Sequence, residues 1–319
     1  MARPPRPRAI FFGTPEFAVP ALAGLHEVSD VVLVVTQPDR PKGRGMKLAP
    51  PPVKELALKL GIPVVQPSKV RVPEFAAELR AQHADLALVV AYGRILPLPV
   101  LTAPRLGCLN VHASLLPKLR GAAPIQWSIV RGDNETGVCL MQMDEGLDTG
   151  PVLARAVLPI APDETAGELS PRLAALGAQL VQAQLPRFVA GELRAVPQDH
   201  AQASLAPLLS KEDGEVDWRD SARAIHDRAR GFAPWPSAYA WLDQSRLKLH
   251  RTQVVDETSV QAQPGEILRA QRDALVVACG RGSLALLELQ LEGGRRLTAA
   301  EFVVGQRLVE GTRLRAKAS

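Results

Sequence analysis

Aromatic residues make up only 4% of this 319-residue chain, so its interior must be packed with Leu, Val and Ala. Cysteine is scarcer still. Cys108, Cys139 and Cys279 are odd in number and form no C-x-x-C pair. This argues against a disulfide framework and a thiolate zinc site, and it fits a reduced, cytoplasmic compartment. Cys108 stands two residues before Asn110, where a nucleophile is conceivable, but a buried strand position is the ordinary reading for cysteine. Long apolar runs are also missing: nothing approaches the ~18 uncharged residues that a membrane-spanning helix needs. The basic opening from Arg3 to Arg8 is followed only by Ala9-Ile-Phe-Phe12, too short for an export segment. The turn after that run, Gly13 to Ala18, lacks G-x-G-x-x-G spacing, and no acid closes the second strand, which disfavours a dinucleotide cofactor. There is no internal repeat, heptad or low-complexity tract.

What the chain does have is enough length for two domains, each with its own core. Through the first part, short apolar runs alternate with helical patterns. Strands are expected at 9–12, 31–35, 64–65 and 86–91, with helices opened by Pro15 and over 53–60 and 73–82. A helix over 123–131, strands at 136–143 and 152–160, and a long helix from 165 to 188 follow. The last carries Leu169, Leu173, Leu176, Leu180 and Val181 at helical spacing. Such alternation predicts an α/β domain, doubly wound around a mostly parallel sheet and spanning residues 1–193. Ligands of such sheets bind beyond the carboxyl ends of the strands. Residues 194–209 are Pro, Gln, Ala and Ser with little periodicity, and they read as a linker. Residues 210–319 show one helical piece at 221–230 and short runs at 238–242, 246–250, 274–278 and 284–291, which predict a small β-barrel.

The net charge is +5 and the pI about 9.3, a balance that favours an anionic partner. Its distribution says more. Arg40, Lys42, Arg44, Lys47 and Lys54 fall within one Pro/Gly-rich stretch, and Arg295, Arg296, Arg307, Arg313, Arg315 and Lys317 crowd the far end. Solvated surface is the plain alternative for either cluster alone. A stretch as long as 37–52 inside a compact domain is usually functional or disordered.

The chemistry-bearing segment is Asn110-Val-His112, which follows the apolar run Leu106 to Leu109. Two residues apart on a strand, the amide and the imidazole project to one side and can both donate to one oxyanion. Asp148, between Gly146 and Gly150, has the chemistry to orient that imidazole or stabilise its charged form. Spacing alone is weak here, because Asn-x-His pairs are common and a histidine at a strand end is usually structural.

The wider wording is more specific. The block from Gly107 to Trp127 with Asp148-Thr-Gly150-Pro resembles the folate-dependent formyltransferases, and the likeness extends to 12–18, 35–45, 90–97 and a second domain after about residue 205. Within that family it is similar to the branch acting on methionyl-tRNA. The resemblance implies that the formyl group of 10-formyltetrahydrofolate passes to the free amine of methionine on the initiator tRNA, for translation initiation. It implies a catalytic set of Asn110, His112 and Asp148, the first two stabilising an oxyanion and the third relaying a proton. It implies that Ser114, Leu115, Leu116 and Pro117 flank the folate, and that Val90, Ala91, Tyr92 and Ile95 line the pterin pocket, with ordinary core as the alternative for Tyr92 and Ile95. It implies that the 38–48 loop, mobile before binding, reaches the tRNA acceptor arm through Arg40, Lys42, Arg44 and Lys47. The second domain is expected to be OB-like and tRNA-binding. No metal and no membrane are implied, and a monomer is expected. The 13–18 turn is expected at the structural edge of the site, with contact to the methionyl group or terminal adenosine as the lesser alternative. Ala113 departs from the family, where many relatives have glycine; a methyl is harmless there only if φ is negative.

Two other classes share part of this pattern. A formyltransferase acting on an amino sugar nucleotide or a purine precursor would keep Asn110, His112 and Asp148 but has no need of the basic loop. A noncatalytic RNA-binding protein on the same fold has no use for the triad.

Overall fold

The computed structural model describes residues 6–42, 47–271 and 274–316; Arg44 and Lys317 lie outside them, as do the side chains of Lys42 and Lys47. Along the first part run β1 (Arg8–Gly13), α1 (Val19–Val28), β2 (Asp30–Val35), β3 (Arg40–Lys42), β4 (Lys47–Ala49), α2 (Pro52–Lys59), β5 (Val64–Val65), α3 (Pro73–Ala81), β6 (Leu86–Val90), α4 (Leu98–Leu101), β7 (Cys108–His112), β8 (Arg120–Gly121), α5 (Pro124–Val130), β9 (Glu135–Gln142), β10 (Val152–Pro159), α6 (Ala166–Val189) and β11 (Leu205–Ala206). Then come α7 (Ala222–Gly231), β12 (Ala238–Leu242), β13 (Ser245–Asp256), β14 (Ile267–Gln271), β15 (Ala274–Ala278), β16 (Ser283–Leu291), β17 (Leu297–Thr298) and α8 (Ala299–Gln306). The chain forms two compact units. One comprises Met1–Pro124, Thr136–Leu158 and Ser170–Pro207, the other Ile125–Glu135, Pro159–Leu169 and Leu208–Ser319.

The first unit is built on a seven-stranded sheet in the order β10-β9-β7-β6-β1-β2-β5. Its pairs β1/β2, β1/β6, β2/β5 and β6/β7 are parallel, and β7/β9 is antiparallel. The central strands are covered on both faces: Ala9, Ile10, Phe11, Leu86, Ala87 and Leu88 have no exposed surface. This is why they read as unbroken apolar runs, and each fully buried Ile, Leu or Phe contributes about 1.5–3 kcal/mol. From β1 the chain winds to β2 and β5 on one side, then returns to β6 on the other. The resulting crevice opens at the carboxyl ends of β1 and β6, where Gly13 stands opposite Val90. A Cβ on Gly13 would lie 2.6 Å from the Phe11 ring and 3.0 Å from the Val90 carbonyl oxygen. β7, beside β6, delivers Asn110 and His112 to the same end.

Proline punctuates the helices: α1, α2, α3 and α4 each carry one in their first two positions, where its fixed φ suits a helix start and its missing N–H costs nothing. Pro15 does not play that part. Glu16–Ala18 forms a single tight 3-10 turn, and α1 begins only at Val19, using Pro20. In the stretch expected as a bare loop, β3 and β4 form a short antiparallel ribbon with Arg40 opposite Ala49 and Pro41 opposite Leu48. Leu48 is 72% exposed and Arg40 and Pro41 are exposed too, so among the described side chains no buried alternation marks this ribbon. The segment read as a linker carries β11, which runs parallel to β8, and an antiparallel bridge between Val152 and Val196.

The second unit holds an antiparallel sheet in the order β12-β13-β16-β15-β14, with β17 on β16. Its core gathers Leu247, Leu249, Val277, Leu284, Leu286 and Leu289 from the sheet with Ile225 of α7 and Phe302 of α8. Residues 311–315 bridge both edges of that sheet. Arg315 exchanges backbone hydrogen bonds with Trp241 of β12, Leu314 donates to the Gly265 carbonyl, and Ile267 of β14 donates to Thr312. Edge strands are thereby paired rather than left open, as in a closing barrel. α7 is capped by Ser221, and α8 by a reciprocal pair, Thr298 and Glu301, each cap being worth about 1 kcal/mol.

Candidate active site

Strand β7 ends at the crevice with Asn110 and His112 on one side, and the turn after β9 brings Asp148 to them. Asn110 Nδ2 lies 3.4 Å from Asp148 Oδ1, and His112 Nδ1 lies 3.6 Å from Asp148 Oδ2. The carboxylate is therefore the hub of the set. Its Oδ2 also accepts the backbone N–H of Gly121 at 2.8 Å, a contact that spacing could not announce.

His112 is 6% exposed, and its Nε2 lies 3.0 Å from the Leu119 carbonyl oxygen. A backbone carbonyl thus lies on one side of the ring and the Asp148 carboxylate on the other. Nε2 faces a backbone oxygen, while the Asn110 amide is half-buried beside the Asp148 carboxylate.

Asp148 sits at φ +52°, a left-handed conformation that aspartate tolerates better than most residues. Its turn is tied by Thr149 Oγ1 and Gly146 N, both donating to Asp144 Oδ1 at 2.7 and 3.0 Å. Gly150 leaves no room for a side chain, since a Cβ would fall 1.8 Å from the Gln142 carbonyl oxygen. Beneath the turn, Gln198 Nε2 donates to the carbonyls of Asp148 and Gly150, while its Oε1 accepts from Arg120.

The residues expected around a folate are dispersed. Ser114 is buried and donates to the Lys118 carbonyl at 2.6 Å, and Leu116 packs with Cys139, Met141 and Val152. Leu115 and Pro117 are half-buried. The Tyr92 ring is 2% exposed and meets Phe12 edge-on at 5.3 Å; burial pushes its phenol above the ordinary range. What Tyr92 offers the crevice is its carbonyl, which accepts from Thr14 Oγ1 at 3.2 Å and Gln37 Nε2 at 3.1 Å. The 13–18 turn thus forms a structural edge through Thr14. Ile95 is 66% exposed and borders a groove of about 410 Å³ with Lys69, Val70, Arg71, Val72 and Arg94. Ala113 is not among the positive-φ residues, so its methyl is tolerated.

Of the basic residues, Arg40 is exposed on β3. Lys54 is not available in the same way: its ammonium lies 2.9 Å from Asp39 and 2.7 Å from Gln66 Oε1. Hydrogen bonds from Gln66 and then Lys54 hold the Asp39 carboxyl below its ordinary value. In the far cluster Arg295 pairs with Glu301 and Arg296 with Glu288. The three thiols are buried; desolvation pushes Cys108 and Cys279 up to about 12 and Cys139 up to about 11. A thiolate nucleophile at Cys108 is thereby excluded at neutral pH. Among the described residues no group of three or more His, Cys, Asp or Glu is arranged to hold a metal ion, and no helix is long and apolar enough to cross a membrane.

The family model for formyl transferase matches residues 8–185, and that for the formyl transferase C-terminal domain matches residues 208–307. The chain belongs to the formyltransferase family. It is 53% identical over 307 residues to a methionyl-tRNA formyltransferase of Myxococcus xanthus, covering 96% of this chain and 97% of that one. It is 54% identical over 305 residues to the enzyme of that description from Sorangium cellulosum, covering 95% and 98%. Among solved structures, the fold matches an N-formyltransferase of Helicobacter canadensis in complex with folinic acid and dTDP-3-aminofucose, with a TM-score of 0.65, 16% identity and coverage of 88% and 98%. It also matches HypX of Aquifex aeolicus in complex with tetrahydrofolic acid, with a TM-score of 0.61 and 17% identity over 93% of this chain. The chain spans about half the length of HypX, 47%. At these identities the two structures speak for the fold alone.

Proposed function

We propose that the protein transfers the formyl group of 10-formyltetrahydrofolate to the amino group of methionyl initiator tRNA. The observation that carries the reaction type is the convergence of Asn110 and His112 on one carboxylate, Asp148, at the carboxyl end of the sheet. The acceptor is supported by full-length identity above half to two enzymes described as methionyl-tRNA formyltransferases.

In this reading the methionyl amine attacks the formyl carbon and the C–N10 bond of the folate breaks. The oxygen gains negative charge as the amine adds, and the Asn110 amide donates to it with His112 as the second group that stabilises it. The attacking nitrogen must lose a proton, and N10 must gain one. Asp148 accepts the first and, directly or through a water, returns it to N10, so the proton count closes within the site. Ser114 to Pro117 shape the wall beside the folate, Tyr92 and Ile95 flank the pterin end, and the acceptor arm is assigned to the basic stretch of Arg40, Lys42, Arg44 and Lys47. Residues 1–193 carry the chemistry, 194–209 connect, and 210–319 add tRNA contacts. The donor set is complete without a metal, and the setting is the cytoplasm.

The deciding experiment is a formyl transfer assay with methionyl initiator tRNA, an amino sugar nucleotide and glycinamide ribonucleotide as competing acceptors. Transfer to the charged tRNA is expected. Transfer confined to either small amine would overturn the assignment of the acceptor.

A further inference from the structure

Asp148 is held from two directions, and both lead to one pair of residues. Its carboxylate takes the Gly121 N–H. Its backbone carbonyl takes a hydrogen from Gln198 Nε2 at 2.8 Å, and the second hydrogen of that amide goes to the Gly150 carbonyl at 2.7 Å. Gln198 Oε1 accepts from Arg120 Nε at 3.1 Å and Nη2 at 2.8 Å. The amide orientation is thereby settled, because a flip would set two carbonyls against Oε1 and a guanidinium against Nε2. Gln198 and Arg120 are each 6% exposed, so these bonds are made away from water and are costly to break. Arg120 immediately precedes Gly121, which closes a ring of contacts around the Asp148 turn.

The turn needs such support. A non-glycine residue at φ +52° is strained and persists only where the surroundings over-determine it. We infer that Gln198, from the segment between the two family-matched ranges, is a positioning residue for the reaction: it fixes the Asp148 turn so that the carboxylate meets Asn110 and His112. The inference rests on the reading of Asp148 as the proton-relaying group. Gln198 acts through the backbone carbonyls of Asp148 and Gly150.

The test is a double-mutant cycle of Gln198→Ala and Asp148→Asn on the full chain, read by single-turnover formyl transfer. Gln198→Ala is expected to lower kcat about 10-fold to 100-fold, the scale of a misplacement near 1 Å, with KM for tRNA and folate within about 3-fold. In the Asp148→Asn background the same change is expected to add nothing, since the group it positions is already gone. If Gln198→Ala does not fold, Gln198→Glu carries the cycle, because it keeps the acceptor for Arg120 and replaces the two donors with a carboxylate oxygen facing the same carbonyls. A lowered Tm with kcat unchanged, or losses that multiply across the cycle, would overturn the inference alone. Full activity in Asp148→Asn would overturn the role of Asp148 and this inference together.

Discussion

Gly121 and Asp148 are joined by a 2.8 Å bond from a backbone N–H to a carboxylate oxygen, and the glycine is needed for it. Gly121 sits at φ +122°, and a Cβ there would stand 2.6 Å from the Ala206 carbonyl oxygen. Strand β8 can carry its N–H to Asp148 only while it stays paired with β11.

Gly121→Ala is therefore expected to act on both stability and turnover. The strained φ alone costs on the order of 1–3 kcal/mol, visible as a lower Tm, and the displaced N–H slows the reaction even where the protein remains folded. Thermal unfolding and single-turnover rates below the transition check this. Wild-type rates at such a temperature would separate Gly121 from the site.

Asp148→Asn removes the charge and spares the geometry, because asparagine accepts the left-handed φ and its Oδ1 can still take the Gly121 N–H. Turnover is expected to fall about 100-fold to 10,000-fold, the usual worth of a positioned proton acceptor. Asn110→Ala, which deletes a donor to the developing oxyanion, is expected to cost about 100-fold to 1000-fold. Substrate affinities measured separately should hardly move. Activity within a few-fold of wild type in either variant contradicts the mechanism.

The contrast between these residues and Gln198 shows what a sequence can and cannot display. Asn110 and His112 were legible because a strand has a period of two and an apolar run precedes them, and Asp148 because glycines on either side mark a turn. Gln198 was hidden in a stretch with no periodicity, because its partners are backbone carbonyls and a guanidinium 78 residues away. Strands β1, β2, β5 and β6 of the first unit are legible as buried apolar runs, whereas their order in the sheet comes from the structure. The β3/β4 ribbon is not legible, since cross-strand pairing without buried alternation among the described side chains leaves no pattern. Tyr92 was placed at the right strand end, but which of its groups faces the crevice depends on a positive φ at Ala91, +46°, which an Ala-Tyr-Gly sequence does not declare. The cap of α8 is carried by the sequence itself, with Thr298 and Glu301 at the spacing of a capping box.

Arg40 is exposed on β3 and projects from the stretch assigned to the acceptor arm. If it meets phosphate, Arg40→Ala reduces the dependence of tRNA binding on salt by about one unit of the log–log slope, and folate affinity is unaffected. Filter binding across a salt series measures the slope. Lys54 is not counted in this set, because Asp39 already neutralises it. An unchanged slope for Arg40→Ala removes that residue from the tRNA surface, and an equal loss of folate binding moves it to the other substrate.

His226 in the second unit offers a prediction about pH. Its Nε2 faces the Pro162 carbonyl at 3.3 Å and its Nδ1 faces the Thr252 hydroxyl at 3.0 Å, so a neutral ring that donates from Nε2 and accepts at Nδ1 satisfies both. Burial, the largest influence, lowers its pKa from 6.5; Arg230 adds to this, while the Pro162 carbonyl, Asp227 and Asp163 oppose it. With the folded value below the unfolded one, the unfolded chain binds the extra proton first as pH falls. The contribution to stability is fully present above about 6.5 and is lost on acidification through the folded value. Thermal unfolding of the full chain is expected to show a falling Tm between pH 7.5 and 5.5, and His226→Gln is expected to flatten that decline. His250, also lowered by burial, remains in the variant, so flattening is partial. Glu168, held at about 2 by its hydrogen bond from Arg251, contributes constant stability above its ordinary 4.5 and loses it only below that value, so it does not enter this window. The same decline in both proteins would show that His226 does not carry it.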